Sequence, residues 1–298
     1  MTQTPPPTRP PTTLADTVLA VNQSRRLLID TLHALSDFSD AITIVGAHAV
    51  HLWAADLWGT LPMPATRDAD LAINPVFVTP DPKLLEMMEN IGVTPALQDR
   101  PGVYGYTTEG DLPLSLRTTI DLIVPEAYAG PGRRAARIAG QAGAASRAVG
   151  LELAIWDRQV LTLSSPDEPH VEIDAWVAGP AALLVAKAHK IHERLAQFAT
   201  RPDRLRQKDS GDVGLLMMVS DPVEVAQIMA TQSTHHPEIA PVVADAAQWL
   251  IDMYADPSAL VRSHAAESLS IRFKADEVAD AMDTWIMAFS GAARLLRA

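Results

Sequence analysis

The sequence predicts an α+β protein in two parts, with a mixed sheet and its helices over residues 14–178 and an all-α domain over residues 179–298. In the first part, short β-branched and apolar runs bounded by glycine and proline alternate with helical segments. In the second part the chain changes to long alanine- and leucine-rich stretches. These stretches are punctuated by Pro202, Pro222, Pro237, Pro241 and Pro257. The proline-dense opening, residues 1–13, is predicted to be a disordered tail.

The elements of the first part are predicted in chain order. A helix is expected over residues 14–35, where apolar residues recur at helical spacing. AITIVG predicts a short buried strand ending at Gly46, and AHAVHLWAADLWG predicts a helix that closes at Gly59. DADLAINP predicts a strand bounded by Pro75, and a helix opened by a proline is expected over residues 82–91. Further strands are predicted at 103–107, 118–124, 151–155, 160–163 and 171–176.

Composition excludes several classes of site. The chain has 298 residues and no cysteine, so it has no disulfide framework, thiolate zinc site or cysteine nucleophile. No signal peptide or membrane-spanning apolar run stands out, and a cytoplasmic protein without membrane contact is expected. The net charge of −12 argues against a generic nucleic-acid coat protein. Residues 130–208 nevertheless hold 12 basic and 8 acidic residues, a net charge of +4 that could face an anionic ligand.

Two aspartates stand one residue apart at the head of an apolar run, in TRDADLAI. On a strand, Asp68 and Asp70 would project from the same face. Their carboxylates would repel each other unless one is protonated or a cation lies between them, and Mg²⁺ commonly binds carboxylates together with substrate phosphates. Asp121, within the apolar run TTIDLIV, also needs a partner. Three acids converge if the two strands are neighbours; otherwise each is an ordinary strand-end or turn aspartate.

The strand–glycine–helix passage ITIVGAHAV lies upstream of these acids. Its turn would present backbone N–H groups and a positive helix dipole end to an anion, although Gly46 could also be only a turn glycine. The order of parts is a glycine turn, a helix, a D-x-D strand and a single aspartate on a later strand. This order resembles the nucleotidyltransferases of the DNA polymerase β superfamily.

Two segments of the second part extend the resemblance. ALLVAKAHKIHERLAQ and RQKDSGDVGLL are similar to the Leu-Leu-x-x-Lys helix and the Lys-Asp-x-x-Asp-Leu helix start of AbiEii/MenT-type toxin nucleotidyltransferases. The likeness covers roughly residues 42–216 and rests on four short motifs in the right order. Two departures stand out. Ala47 follows Gly46 where the family usually has serine or glycine, and the spacer from Gly46 to Asp68 is long for the superfamily.

The resemblance implies a polymerase β-like nucleotidyltransferase core followed by a helical domain. It also implies roles for individual residues. The acids expected to ligate two Mg²⁺ ions are Asp68, Asp70 and Asp121. The residues expected to bind the nucleotide are Gly46, Ala47, Thr66 and Lys190. Lys187 and Asp209 are expected to act with the acids in catalysis.

Basic residues could supply the charge that a triphosphate requires. Lys187, Lys190 and Arg194 share one face of a predicted helix, which could equally be a solvated surface. Lys187 is the favoured phosphate contact because its neighbours are apolar and lysine supplies a point charge. Asp209, next to Lys208 at a predicted helix start, could orient a neighbouring base or be only a favourable N-terminal helix acid.

An arginine cluster and four histidines complete the candidate residues. The arginines could hold a polynucleotide backbone or lie in a solvated linker. They are Arg133, Arg134, Arg137 and Arg147. The histidines lie three apart in two pairs without a convincing third ligand, so they are interpreted as packing or surface residues. They are His48, His51, His189 and His192.

The predicted activity is Mg²⁺-dependent nucleotidyl transfer from an NTP. By resemblance, CTP or UTP is the favoured donor, the 3′ end of a tRNA is the expected acceptor, and a cognate antitoxin protein is a candidate partner. One alternative is transfer to a small molecule such as an aminoglycoside, which an acidic chain would favour. Another is a non-catalytic nucleotide-binding or interaction protein, against which the three intact acids count.

Overall fold

The computed structural model of the protein describes residues 13–59, 63–97, 99–166, 168 and 170–295. The predicted tail over residues 1–13 therefore falls almost wholly outside the described residues. Thr13 is its one described member, and its hydroxyl caps the first helix by accepting from the backbone N–H of Asp16. The sequence prediction of an α+β protein is confirmed at the level of a mixed sheet with helices followed by a helical stretch.

Eight strands form a single mixed sheet. The strands are β1 (Ile42–Val45), β2 (Asp68–Ile73), β3 (Val93–Pro95), β4 (Val103–Tyr106), β5 (Thr119–Pro125), β6 (Ser146–Ala148), β7 (Arg158–Ser164) and β8 (Glu172–Ala178). Their order across the sheet is β3-β4-β5-β2-β1-β8-β7, and β6 pairs with the far end of β5. Strand β2 is antiparallel to β1 and parallel to β5, so its residues are flanked on both sides.

Ten α-helices lie within the described part of the chain. They are α1 (Leu14–Ala34), α2 (Gly46–Trp53), α3 (Ala55–Trp58), α4 (Leu84–Asn90), α5 (Pro180–Ala196), α6 (Gln207–Val219), α7 (Pro222–His235), α8 (Ala240–Tyr254), α9 (Leu260–Leu269) and α10 (Ala275–Leu295). The predicted helix that closes at Gly59 is present as α2 and α3, which meet at Ala54. Prolines open α5 and α7 at the first turn, where an N–H would have no intrahelical partner.

Strand β2 is the element that places the acids. Ala69, Leu71 and Ile73 are fully buried, so the alternate face of the strand is fixed against the core. Because side chains alternate along a strand, Asp68 and Asp70 project together from the opposite face. The sequence pattern therefore predicts the face of this strand correctly.

Several predicted elements are wrong or were missed. Residues 151–155 form a turn of 3₁₀ helix (Glu152–Ile155) rather than a strand, and the Glu152 carboxylate accepts from the N–H of Gly150 at 2.7 Å. A short, fully apolar run does not distinguish a strand from a buried helical turn. Pro82 follows a cis peptide bond and precedes the helix, which begins after Lys83. The three-residue strands β3 and β6 were not predicted.

Three hydrogen bonds fasten the junction between the sheet and α5. The indole Nε1 of Trp53 donates to Ala178 O at 2.9 Å. The N–H of Gly179 donates to Asp157 O at 2.8 Å, and the N–H of Ala182 donates to the carboxylate of the same aspartate at 2.8 Å. The junction therefore joins the end of β8 to α2 and to the loop before β7.

No single helix among the described residues is long and apolar enough to cross a membrane, although the bent pair 202–219 and 222–235 meets the length and composition criteria together.

Candidate active site

The turn from β1 into α2 requires glycine. Gly46 has φ +68°, in the left-handed region. A Cβ placed there would overlap the carboxylate of Asp70, with Cγ only 2.9 Å away. In the register of the sheet, Val45 pairs with Asp70, so the chain turns into the helix directly beside this acid. Glycine at position 46 therefore lets the backbone of the turn contact the Asp70 side chain.

The three predicted acids lie on neighbouring strands. Asp70 is directly opposite Asp121 in the parallel pairing of β2 with β5, and Asp68 is opposite Thr119. Residues opposite each other on paired strands project from the same face of the sheet, so the three carboxylates share one face. The hydroxyl of Thr119 donates to Asp68 Oδ1 at 2.9 Å, which orients that carboxylate. Thr119 was missed in the sequence, although it lies two residues before Asp121 and thus on the same face.

The acids differ in their electrostatic environment. Burial raises the pKa of Asp121 to about 8, and the neighbouring charges of Asp70 and Asp68 add to the shift. Burial also raises the pKa of Asp70; Asp68 adds to that shift, whereas Lys190 opposes it. Both side chains remain half-buried, while Asp68 is exposed. Close carboxylates in such a place titrate as a pair and favour either a shared proton or a bound cation.

The acid set offers carboxylate oxygens, which are the ligands that Mg²⁺ prefers. Within the described part of the chain, no three His, Asp or Glu side chains are gathered closely enough to hold a metal ion by themselves. Mg²⁺ usually completes its coordination with waters and substrate phosphates rather than with protein ligands alone. Asp68, Asp70 and Asp121 therefore suit a metal ion only where other ligands complete its coordination.

The lysines of the second part form a separate ion network with Asp209 and Asp212. Lys187 is 5% exposed, and its Nζ lies 3.4 Å from Asp209 Oδ1 and in hydrogen-bond contact with Asp212. Burial opposes the charged form of this lysine, but Asp212 and Asp209 outweigh it and raise the pKa of Lys187. Asp212 contributes to this interaction and was not singled out in the sequence. Its position three residues after Asp209 places it on the same helix face, but its pairing with Lys187 depends on how α5 packs against α6.

Asp209 binds three cations. It contacts Lys187, Lys190 (3.0 Å) and Arg194. Burial would raise the pKa of Asp209, but these cations hold it well below its usual range. Asp209 lies in the first turn of α6, as expected of an acid that stabilises a helix N-terminus. Its carboxylate, however, contacts the basic side chains of α5.

The lysines of α5 act on the ionisation of the strand acids. Both Lys187 and Lys190 stabilise the ionised form of Asp70, and Lys190 also acts on Asp121. The side chain of Lys190 is 45% exposed, whereas that of Lys187 is 6% exposed. Lys190 is therefore the more accessible cation beside the acids.

The remaining predicted residues lie around the turn. Ala47 is buried in the first turn of α2. Thr66 is also buried, and its hydroxyl donates to Asp68 O at 3.0 Å, so it is held by the strand that carries the acids. Ser24 of α1, which was not predicted, lies with its Oγ 3.0 Å from Thr66 O and 2.9 Å from His48 Nε2. Burial lowers the pKa of His48 to about 3, as expected of a packing histidine.

The arginine cluster separates into two groups. Arg147 is held by the carboxylate of Glu126 and by Gly130 O, so it fastens its own loop. The other three arginines are exposed. They are Arg133, Arg134 and Arg137.

Replacing Gly46 with alanine should destabilise the protein by more than backbone strain alone. A left-handed conformation costs a non-glycine residue about 1–2 kcal/mol, and the new methyl group would also displace Asp70. Urea denaturation measures the change. Gly92→Ala is the matched control, because Gly92 has φ +72° and no described atom lies within 4 Å of the place its new methyl group would take. Equal losses in the two variants would contradict the contact with Asp70.

The stability that Asp121 contributes to the metal-free protein should fall as the pH rises from about 4 towards 8. Between the ordinary pKa of 3.8 and the folded pKa of about 8, the folded state retains a proton on Asp121 that the unfolded state has lost. Stability from this group is thus present at low pH and is lost as the pH passes the folded pKa. In chemical denaturation with EDTA, the free energy of unfolding of the wild type minus that of Asp121→Asn should decrease steadily over this pH range. Parallel curves would contradict the assignment.

No protein-family model matches the chain, and no curated protein matches it.

Proposed function

We propose that the protein is a Mg²⁺-dependent nucleotidyltransferase with a polymerase β-like core. The observation that carries the proposal is the placement of Asp70 opposite Asp121, with Asp68 on the same face and Gly46 beside them. Two carboxylates that repel each other in a half-buried place are costly unless a cation is bound there in function. The glycine turn beside them leads into a helix N-terminus, which favours phosphate.

In this proposal the acids hold the metal and the basic residues hold the phosphates. Asp68, Asp70 and Asp121 would bind Mg²⁺, which supplies charge neutralisation for the triphosphate and polarises the acceptor hydroxyl. Thr119 orients Asp68 through its hydrogen bond. The acceptor oxygen would attack the α-phosphorus while its proton passes to the Asp121 carboxylate. The bond from the α-phosphorus to the oxygen that bridges to the β-phosphate would break, and pyrophosphate would leave.

Lys190 is the best placed lysine to contact the phosphates. It is the exposed member of the network, it is steadied by Asp209 at 3.0 Å, and its charge acts on both Asp70 and Asp121. Lys187 is enclosed by two carboxylates, so we assign it a positioning role. It holds Asp209 in place beside Lys190 and Arg194. The sequence favoured Lys187 as the direct phosphate contact, so its role changes here, whereas Lys190 keeps the nucleotide-binding role expected of it.

The acceptor and the biological setting follow from the sequence resemblance to toxin nucleotidyltransferases. We propose a tRNA 3′ end as acceptor, a pyrimidine NTP as donor, and a cytoplasmic toxin that is paired with an antitoxin. The basic stretch 130–208, with exposed Arg133, Arg134 and Arg137, supports a polyanionic acceptor over a cationic drug.

Asp70→Asn and Asp121→Asn should abolish transfer without loss of the fold. The wild type is incubated with Mg²⁺, each labelled NTP in turn, and either total tRNA or an aminoglycoside. For the wild type we expect label on tRNA. In the variants we expect the transfer rate to fall by more than the roughly 10–100-fold that accompanies removal of a residue that only supports a metal ligand. Asp111→Asn, at an exposed acid outside the site, is the control. Full transfer by either site variant would exclude the mechanism. Label on the aminoglycoside alone would show that the acceptor is a small molecule rather than tRNA.

Lys190→Ala and Lys187→Ala should separate phosphate binding from positioning. Removing one partner of a buried ion pair costs about 3–5 kcal/mol, so Lys187→Ala should be strongly destabilised because Asp212 and Asp209 remain buried. Lys190→Ala should keep nearly full stability and raise the KM for the NTP. Urea denaturation and transfer kinetics measure the two effects. The proposed roles fail if Lys190→Ala transfers normally, or if Lys187→Ala is as stable as the wild type.

A further inference from the structure

Lys208 is a cation at the start of α6 that no acid holds. It lies in the first turn of the helix, one residue before Asp209, and its side chain is half-buried. In the part of the chain that the structure describes, its ammonium group makes no hydrogen bond and contacts no carboxylate. The carboxylates of Asp209 and Asp212, on the same helix, contact Lys187 and Lys190 instead.

The charge of Lys208 reduces the stability of the folded protein. Burial lowers the pKa of this lysine; Asp212 and Asp209 oppose the shift, whereas Lys187 and Lys190 add to it. A lysine whose pKa is lower in the folded state than in the unfolded state holds its proton less tightly after folding, so its charged form opposes folding at neutral pH. A cation that is kept at such a cost is typical of a binding site rather than of a scaffold.

Electrostatic effects and packing locate Lys208 beside the glycine turn. Its charge favours the ionised form of Asp70 and disfavours the charged form of His48. Asp70 lies against the turn at Gly46, and His48 is in the first turn of α2, which begins there. Helix α2 itself packs against both β2 and α6. The ammonium group of Lys208 therefore lies near the start of α2, on the side of the site that carries Asp70.

Lys208 and Lys190 act on different parts of the acid pair. The cations that act most strongly on Asp121 are Arg100 and Lys190. Lys190 also acts on Asp70, and Lys208 joins it there. In the proposed reaction the α-phosphorus reacts at the acid pair, and the rest of the triphosphate extends towards the glycine turn. Lys190 is thus the cation of the reacting phosphate, and Lys208 is the cation on the path of the other two.

We propose that Lys208 binds the β- and γ-phosphates of the donor, the half of the triphosphate that leaves as pyrophosphate. The proposal rests on the proposed nucleotidyltransferase function and adds a phosphate-binding residue on a second helix. The compact charge of a lysine suits a polyphosphate, which would supply the anionic partner that the protein itself withholds. As the bond from the α-phosphorus to the bridging oxygen breaks, its electron pair stays on that oxygen, and the ammonium group stabilises the new negative charge without giving up a proton.

Calorimetry with the full chain and Mg²⁺, in a phosphate-free buffer and without any acceptor, tests the proposal. The probes are inorganic tripolyphosphate, pyrophosphate and CMP, which has only the α-phosphate. Lys208→Met removes the charge and keeps the length of the side chain. It should lower the affinity for tripolyphosphate and pyrophosphate by about tenfold or more, and that for CMP by less than about twofold. Lys274→Met is the matched control, because it removes an exposed lysine just before α10.

Urea denaturation separates a binding role from a structural one. In EDTA and without any phosphate, the urea midpoint of Lys208→Met should equal or exceed that of the wild type, because an unfavourable charge has been removed. Tripolyphosphate should then raise the midpoint of the wild type more than that of the variant, since a ligand stabilises the state that binds it. Lys208→Gln serves as a second variant if Lys208→Met does not fold, and should show the same loss of affinity.

The outcomes distinguish this inference from the proposed function. Unchanged affinity for tripolyphosphate in both Lys208 variants would overturn the inference and leave the proposed function standing. An equal loss for CMP and pyrophosphate would place the lysine at the α-phosphate and would also overturn it. Failure of the wild type to bind any probe and to transfer from any NTP would overturn both.

Discussion

The carboxylates of Asp70 and Asp121 lie opposite each other on parallel strands, and their repulsion in a half-buried place is the interaction on which the rest of the structure depends. Strand pairing holds them together, since the buried faces of β2 and β5 leave neither strand free to shift register. Gly46 lets the next helix begin against one of them. The lysines of α5 then oppose the negative charge from across the site. Each of these features accommodates or opposes the excess negative charge of the paired carboxylates.

The ion network of α5 and α6 opposes the negative charge of the strand acids and still keeps a net positive charge of its own. Two carboxylates, Asp209 and Asp212, bind three cations, so the network retains positive charge on its accessible side. A buried ion pair gives little net stability, because desolvation offsets the attraction. Its role here is geometric. Buried Lys187 holds Asp209 and Asp212 in place, and Asp209 in turn holds the exposed Lys190. The second part of the chain thereby presents a charge at a defined place rather than on a freely rotating side chain.

The sequence predicted the parts of the site that depend on local periodicity. The shared face of Asp68 and Asp70 follows from alternation along one strand, and the helix of Lys187 follows from its apolar spacing. What it could not predict depends on contacts between distant segments. Ser24 reaches Thr66 across 42 positions, and the pairing of Lys187 with Asp212 requires knowledge of how α5 packs on α6. The strand prediction at residues 151–155 failed for a different reason. A short, largely apolar run has no periodicity that would distinguish a strand from a helix.

The fastened junction at residues 178–180 has a consequence for how a substrate would enter. A hinge between the sheet and α5 would have to break the bond from Trp53 to Ala178 and both bonds to Asp157, all within one turn of the helix that carries the lysines. These three bonds therefore resist a change in the angle between the sheet and α5. A ligand that bound between the strand acids and the lysines would meet groups already in position, and little free energy would be spent on moving them.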